Sequence, residues 1–228
     1  AYTIISKYVQ DEIDSKELYR LAKDAYNYDV PLEKVYDNNY VMRLDRGPTA
    51  SFKDFAARMM GRLMQHFLKQ ENKNMLVLTA TSGDTGKAAL EGFRDVKGTK
   101  IIVFFPEDGV SQVQKLQMVT QEGGNVHSVA VEGNFDDTQN GVKAIFSDTE
   151  LEERMLANGC RFSSANSINW GRLVPQIVYY FSAYADLLAA GEINPGEKIN
   201  FSVPTGNFGN ILAAWYACEM GLPVRRLI

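Results

Sequence analysis

At 228 residues the chain is long enough to bury a sizeable core and to form one or two domains. Its 45% hydrophobic and 23% charged residues are ordinary for a globular protein, and a net charge of −4 speaks against nucleic acid or acidic lipid as a partner. No apolar run reaches the roughly 18–20 residues of a membrane helix. The start lacks the layout of a secretory signal. Two cysteines without a CxxC, and two histidines far apart, exclude a disulfide framework and a zinc site, so a reducing cytoplasm is the expected compartment.

Residues 1–36 read as mainly helical. Strand and helix patterns then alternate, beginning with a short strand over Val41–Leu44. Phe52, Phe55, Met59, Leu63 and Phe67 recur at spacings of three and four, which predicts a helix over Phe52–Lys69. Next come a strand over Asn74–Ala80, a short helix over Thr85–Phe93 and a strand over Lys100–Phe105, stopped by Pro106. Ser111–Gln121 is a helix whose start, Ser111-x-x-Gln114, matches a capping box. Val126–Val131 predicts a strand, and Phe135–Phe146 a helix that continues after a break to Leu156. Phe162 lies in a short extended piece. A long helix over Trp170–Ala190, a strand over Lys198–Pro204 and a helix over Phe208–Met220 follow, and Val224–Ile228 begins another strand. Such alternation with near-continuous apolar strands predicts an α/β fold with a parallel sheet covered on both faces. The final strand has no helix after it and the first residue is not Met, so a piece of a longer chain is expected.

Three short segments carry the chemistry. In Gly47-Pro-Thr-Ala-Ser-Phe-Lys53-Asp54, Thr49 or Ser51 can cap the following helix, which puts Lys53 in its first turn. The helix dipole disfavours a cation there, and Phe52 and Phe55 can desolvate it. Both effects favour a neutral, nucleophilic amine; the plain alternative is a surface lysine paired with Asp54. Thr81-Ser-Gly-Asp-Thr-Gly86 joins a strand to a helix, a place where free N–H groups bind anions. Hydroxyls of Thr81, Ser82 and Thr85 add donors there. Asp84 would repel an anion and is expected to accept a hydrogen bond instead. The spacing excludes a Walker A loop. Pro204-Thr-Gly-Asn-Phe-Gly-Asn210 can form a nest of N–H groups for a phosphate, but Gly206 and Gly209 alone do not make GxGxxG. An imine-forming amine with two anion cradles is the equipment of a pyridoxal phosphate (PLP) site.

A fourth stretch, Ser163 to Arg172, precedes the long helix. Arg172 in that helix's first turn is unfavourable unless an anion sits beside it. A capped helix with a solvated arginine is the plain alternative.

At these residues the chain resembles the threonine synthases, fold-type II PLP enzymes. The resemblance rests on Gly47–Phe55, on Ser82–Gly86, on Asn166–Arg172 followed by Gln176 and Tyr179-Tyr-Phe181, and on Gly206–Asn210. It implies that Lys53 carries PLP covalently and moves protons, with Phe52 and Asp84 at the cofactor. It further implies that Gly206, Asn207, Phe208, Gly209 and Asn210 bind the cofactor phosphate. Thr81, Ser82, Gly83 and Thr85 would face the substrate carboxylate, and Asn169 and Arg172 the substrate phosphate. Ser111, Lys115 and Gln117 are further candidates on the facing domain. The implied reaction turns O-phospho-L-homoserine and water into L-threonine and phosphate. The implied architecture has two α/β domains: residues 1–80 and 160–228 in the larger, with 1–36 as a helical lead-in, and 82–158 in the smaller. Members of the family are longer at both ends, and the missing C-terminal part supplies the partner of the pyridine nitrogen. Nothing in the sequence sets an oligomeric state. A phosphohomoserine lyase on the same fold, or a non-catalytic module binding a small molecule, stays open.

Overall fold

A computed structural model of the chain describes residues 1–167 and 169–228. Two short helices come first, α1 (Tyr2–Val9) and α2 (Ser15–Ala25), the second capped by Asp14. The expected helical lead-in stops there. Leu32–Tyr36 is a strand, β1, paired antiparallel with β2 (Asn39–Met42) through a turn in which Asp37 is left-handed. Val35 and Tyr36, with Tyr40 and Val41 across the turn, favour strands over a helix. Leu44–Arg46 is a 3-10 turn rather than the end of a strand.

The remaining elements alternate. They are α3 (Lys53–Glu71), β3 (Asn74–Ala80), α4 (Asp84–Phe93), β4 (Thr99–Pro106), α5 (Gln112–Val119), β5 (Val126–Val131), α6 (Phe135–Ser147), α7 (Thr149–Ala157), β6 (Cys160–Ser164), α8 (Trp170–Ala189), β7 (Ile199–Phe201), α9 (Gly209–Glu219) and β8 (Val224–Leu227). The expected break after Phe146 falls at Asp148, whose carboxylate caps α7. The strand expected over Lys198–Pro204 keeps only its middle.

Four strands form a parallel sheet in the order β5-β4-β3-β6. Side chains alternate across it, as the period of two requires. Val77, Ile101, Val103 and Phe105 point to one face and pack with Met60, Leu90, Phe93 and Met118 of α3, α4 and α5. Leu76, Leu78, Ile102 and Phe104 point to the other and meet Val142 and Ile145 of α6. Each fully buried large apolar side chain contributes roughly 1.5–3 kcal/mol. A second core joins α1, α2, the start of α3, α8, α9 and the parallel pair β7-β8. Helix α3 therefore belongs to both cores. β3 and β6 extend the sheet beyond residues 82–158 on both sides.

Helices α3 and α4 cross with almost no side chain between them. A Cβ on Gly92 would lie 2.7 Å from the backbone of Ala57, and one on Gly61 would lie 2.5 Å from the Gly92 carbonyl. Gly92→Ala is expected to cost about 1–3 kcal/mol through overpacking. Gly141→Ala, on α6 with nothing within 4 Å, should instead add up to ~1 kcal/mol. Urea denaturation of both variants checks the contrast.

Candidate active site

The loop before α3 is tied down by a residue inside the helix. Asp54 is fully buried and accepts from the Thr49 N–H at 2.8 Å and the Thr49 hydroxyl at 2.5 Å. A side chain on Gly47 would strike this carboxylate. Neither expected cap takes the N-cap position, which falls to Phe52; Ser51 Oγ accepts instead from the Lys53 N–H. Asp54 is engaged with Thr49, and the carboxylate that the Lys53 amine approaches is that of Asp84 instead. The amine of Lys53 lies 4.0 Å from Asp84 Oδ2 and 5.6 Å from the centre of the Phe52 ring.

Burial pulls Lys53 down to a pKa of about 8, against the preference of Asp84 for the ammonium form, while Arg172 and Lys87 add to the depression. At neutral pH about a tenth of it is then neutral, against less than one part in a thousand for an ordinary lysine. Burial pushes the Asp84 carboxyl up, yet the bond from Gln114 and the charges of Lys53 and Lys87 hold it below the usual range. Gln114 Nε2 donates to Asp84 Oδ1 at 2.8 Å, and Lys87 Nζ lies 3.4 Å from the same oxygen. As the first residue of α4, the carboxylate also sits where the dipole favours it.

Thr81 is buried, and its Oγ1 accepts from the N–H groups of Gly83 at 2.9 Å and Gly86 at 3.0 Å. It shapes the loop from within. Among the described residues, the N–H groups of Ser82, Asp84 and Thr85 donate to no acceptor. Gly83 has φ of +138°, and the space of its missing side chain is filled by Gln114.

Asn169 also differs from expectation. Its Oδ1 caps α8 at the Gly171 N–H, and its Nδ2 donates to the Ser164 carbonyl, both at 2.9 Å. Both ends of its amide thus hold the loop together. Arg172, by contrast, is only 3% exposed and is not the solvated arginine of the plain alternative. It donates through Nη1 to the Ala165 carbonyl, its Nε is buried without a partner among the described residues, and burial lowers it to about 10. Among the described residues no carboxylate pairs with it. Ile168 of the same stretch lies outside the described residues.

Gly206, Asn207 and Phe208 form an exposed loop before α9. Among the described residues, the N–H groups from Gly206 to Asn210 meet no acceptor. Gly209 comes close to Ser167, so this loop touches the one before α8. The Asn210 side chain is held by Tyr179 and Tyr180.

On the facing helix, Ser111 makes the expected capping box with Gln114. Lys115 is engaged with Glu107. Gln117 donates to the Thr49 carbonyl at 3.4 Å and leaves its Oε1 buried without a partner. The residues that sequence reasoning missed are Gln114 and Lys87. Lys87 was signalled by its spacing of three from Asp84; Gln114 was read only as a cap.

The arrangement fits PLP. An aldehyde needs an amine with an accessible neutral form, and a phosphate needs uncommitted donors. Lys53 and the N–H run at 206–210 supply them. In the cofactor-free protein, acetic anhydride labelling followed by peptide mass spectrometry is expected to give Lys53 a midpoint of about pH 8. Asp84→Asn removes a charge that favours the ammonium, so the midpoint should fall further. A midpoint near the ordinary value of about 10.4 would show that the amine is well solvated.

A family profile described as pyridoxal-phosphate dependent enzyme matches residues 30–228. The threonine synthase of Pseudomonas aeruginosa is 42% identical over 233 residues, covering 100% of this chain and 48% of that protein. Human threonine synthase-like 1 is 44% identical over 229 residues, covering 95% of the chain and 31% of that protein. Among solved structures, PLP-bound threonine synthase from Brucella melitensis superimposes with a TM-score of 0.88 at 40% identity, over 99% of this chain and 48% of that one. The chain thus spans about half the length of the bacterial relatives it matches. The match takes in Lys53, both donor-lined loops and the helix between them, and the chain belongs to the family of pyridoxal-phosphate dependent enzymes.

Proposed function

We propose that this chain is part of a cytoplasmic enzyme that converts O-phospho-L-homoserine and water to L-threonine and phosphate, with PLP as its cofactor. The observation that carries the reading is Arg172, a buried guanidinium with no carboxylate partner among the described residues, set where its charge is felt by Lys53. A phosphorylated amino acid brings the anion this arginine lacks. The likeness to threonine synthases along the chain supports the same substrate.

Bound PLP supplies an electron sink that lets C–H bonds of the substrate ionise. The residues of the chain do the rest. Gly206, Asn207, Phe208, Gly209 and Asn210 hold the cofactor phosphate, and Phe52 lies against the amine of Lys53. Ser82, Gly83 and Thr85, with the free N–H groups of their loop, take the substrate carboxylate. Lys53 Nζ accepts a proton from the α-carbon and then from the β-carbon, and returns protons at the end. A pKa of about 8 lets it serve in both directions near neutral pH. Asp84 keeps the amine in place and balances its charge when it is protonated. Arg172 neutralises the phosphate as it leaves, which lowers the cost of breaking the C–O bond.

The same reading divides the chain into two α/β units with the cofactor between them. The smaller is drawn from β3 to β6 rather than over 82–158, because β3 bonds along its length to β4 and β6. A lyase that released a keto acid would use the same residues, and no observation favours it.

Borohydride reduction after adding PLP is expected to fix a pyridoxyl group on Lys53 and on no other lysine, as read by peptide mass mapping. Lys53→Ala should remove that adduct and leave the fold intact. Arg172→Ala is expected to weaken binding of phosphate-bearing amino acids by roughly 10–100-fold more than phosphate-free ones, since it deletes a charged hydrogen-bond donor. Equal losses for both ligands would make Arg172 a purely structural residue. Keto acid in place of threonine among the products would assign the lyase instead.

A further inference from the structure

Helix α8 carries a chain of hydrogen bonds from Arg172 to the loop before α9. Gln176 Nε2 donates to the Arg172 carbonyl at 2.7 Å, so its Oε1 is turned toward the Tyr179 hydroxyl, 3.1 Å away. The Tyr179 hydroxyl also lies 2.5 Å from Asn210 Oδ1. The Tyr180 hydroxyl reaches the same oxygen at 2.6 Å and the Asn210 main-chain carbonyl at 3.1 Å. Both rings are at most 2% exposed. Burial pushes both phenols far above their ordinary pKa, so each keeps its proton throughout the physiological range.

The Asn210 carboxamide presents its oxygen to both tyrosines. Tyr179 stands between two acceptors, Gln176 Oε1 and Asn210 Oδ1, and Tyr180 between Asn210 Oδ1 and the Asn210 main-chain carbonyl. With the oxygen facing α8, the nitrogen is the end of the carboxamide left to serve another partner. Among the described residues Nδ2 has no acceptor. Asn210 is the second residue of α9 and closes the run of uncommitted N–H groups that begins at Gly206.

We propose that Tyr179 and Tyr180 are positioning residues that lock the Asn210 carboxamide so that its Nδ2 joins the main-chain donors at 206–210, giving the site its preference for a phosphorylated over an unphosphorylated pyridoxal. The inference rests on the reading of this site as the cofactor site. Packing alone would need the rings and not the hydroxyls, so Tyr→Phe separates the two roles. The experiment measures dissociation constants of PLP and of pyridoxal by absorbance, maps the reduced adduct to Lys53, and follows the fold by thermal melting. Tyr180→Phe is expected to weaken PLP roughly tenfold and leave pyridoxal unchanged, the size of one charge-assisted hydrogen bond. Tyr179→Phe should act in the same direction with a smaller effect. Asn210→Asp, which still accepts from both tyrosines but offers no N–H, should weaken PLP more than either tyrosine variant. If Tyr180→Phe keeps the full preference while Lys53 still takes the adduct, the positioning role is overturned and the cofactor site stands. Equal weakening of PLP and pyridoxal would likewise overturn it, as general damage to the loop. If the unaltered protein fixes neither compound on Lys53, the cofactor reading falls and this inference with it.

Discussion

Three basic side chains, Lys53, Lys87 and Arg172, are largely shielded from water, while the carboxylate of Asp84 stays partly exposed. Asp84 faces both lysines, and among the described residues Arg172 pairs with no carboxylate and donates to the Ala165 carbonyl. A buried cation without an acceptor is costly, and an anion arriving from outside relieves that cost. The imbalance adds to the burial that depresses the basicity of Lys53, and the two lysine charges help keep Asp84 ionised.

The fold gathers these groups by one rule of parallel sheets: the loops that bind ligands follow the carboxyl ends of the strands. β3 leads into the Ser82 loop, β6 into the stretch before α8, and β7 into the loop before α9. β3 and β6 are neighbours in one sheet, and Asn166 bonds the end of one to the loop of the other by donating to the Ala80 carbonyl at 2.9 Å. α3 brings Lys53 to this rim from the other core, and its close crossing with α4 keeps the amine within reach of Asp84.

Much of this was legible in the residues. Apolar period and strand runs placed α3, β3, β5 and α8 within a residue or two, since long amphipathic or continuous apolar segments leave little choice. The helical lead-in was overextended because the five residues of the mostly exposed strand β1 carry no clear alternation. At the site, residue types pointed to the loops, but not to what each side chain would face. A threonine beside two glycines can offer its hydroxyl outward or spend it on N–H groups two and five residues on, and Thr81 does the second. Asn169 likewise had two uses. Gln114 escaped notice because its bond to Asp84 spans 30 residues, and no local pattern encodes that.

Gln114 serves two masters with one amide. Its oxygen completes the cap at Ser111, at 3.0 Å from that hydroxyl, and its nitrogen grips Asp84. The start of α5 and the charge beside Lys53 are consequently a single mechanical unit. Fraying of that first turn would withdraw the clamp and let the carboxylate turn, while a firm turn holds the acid still. The tension of a surface helix end is in this way transmitted to a lysine that it never touches.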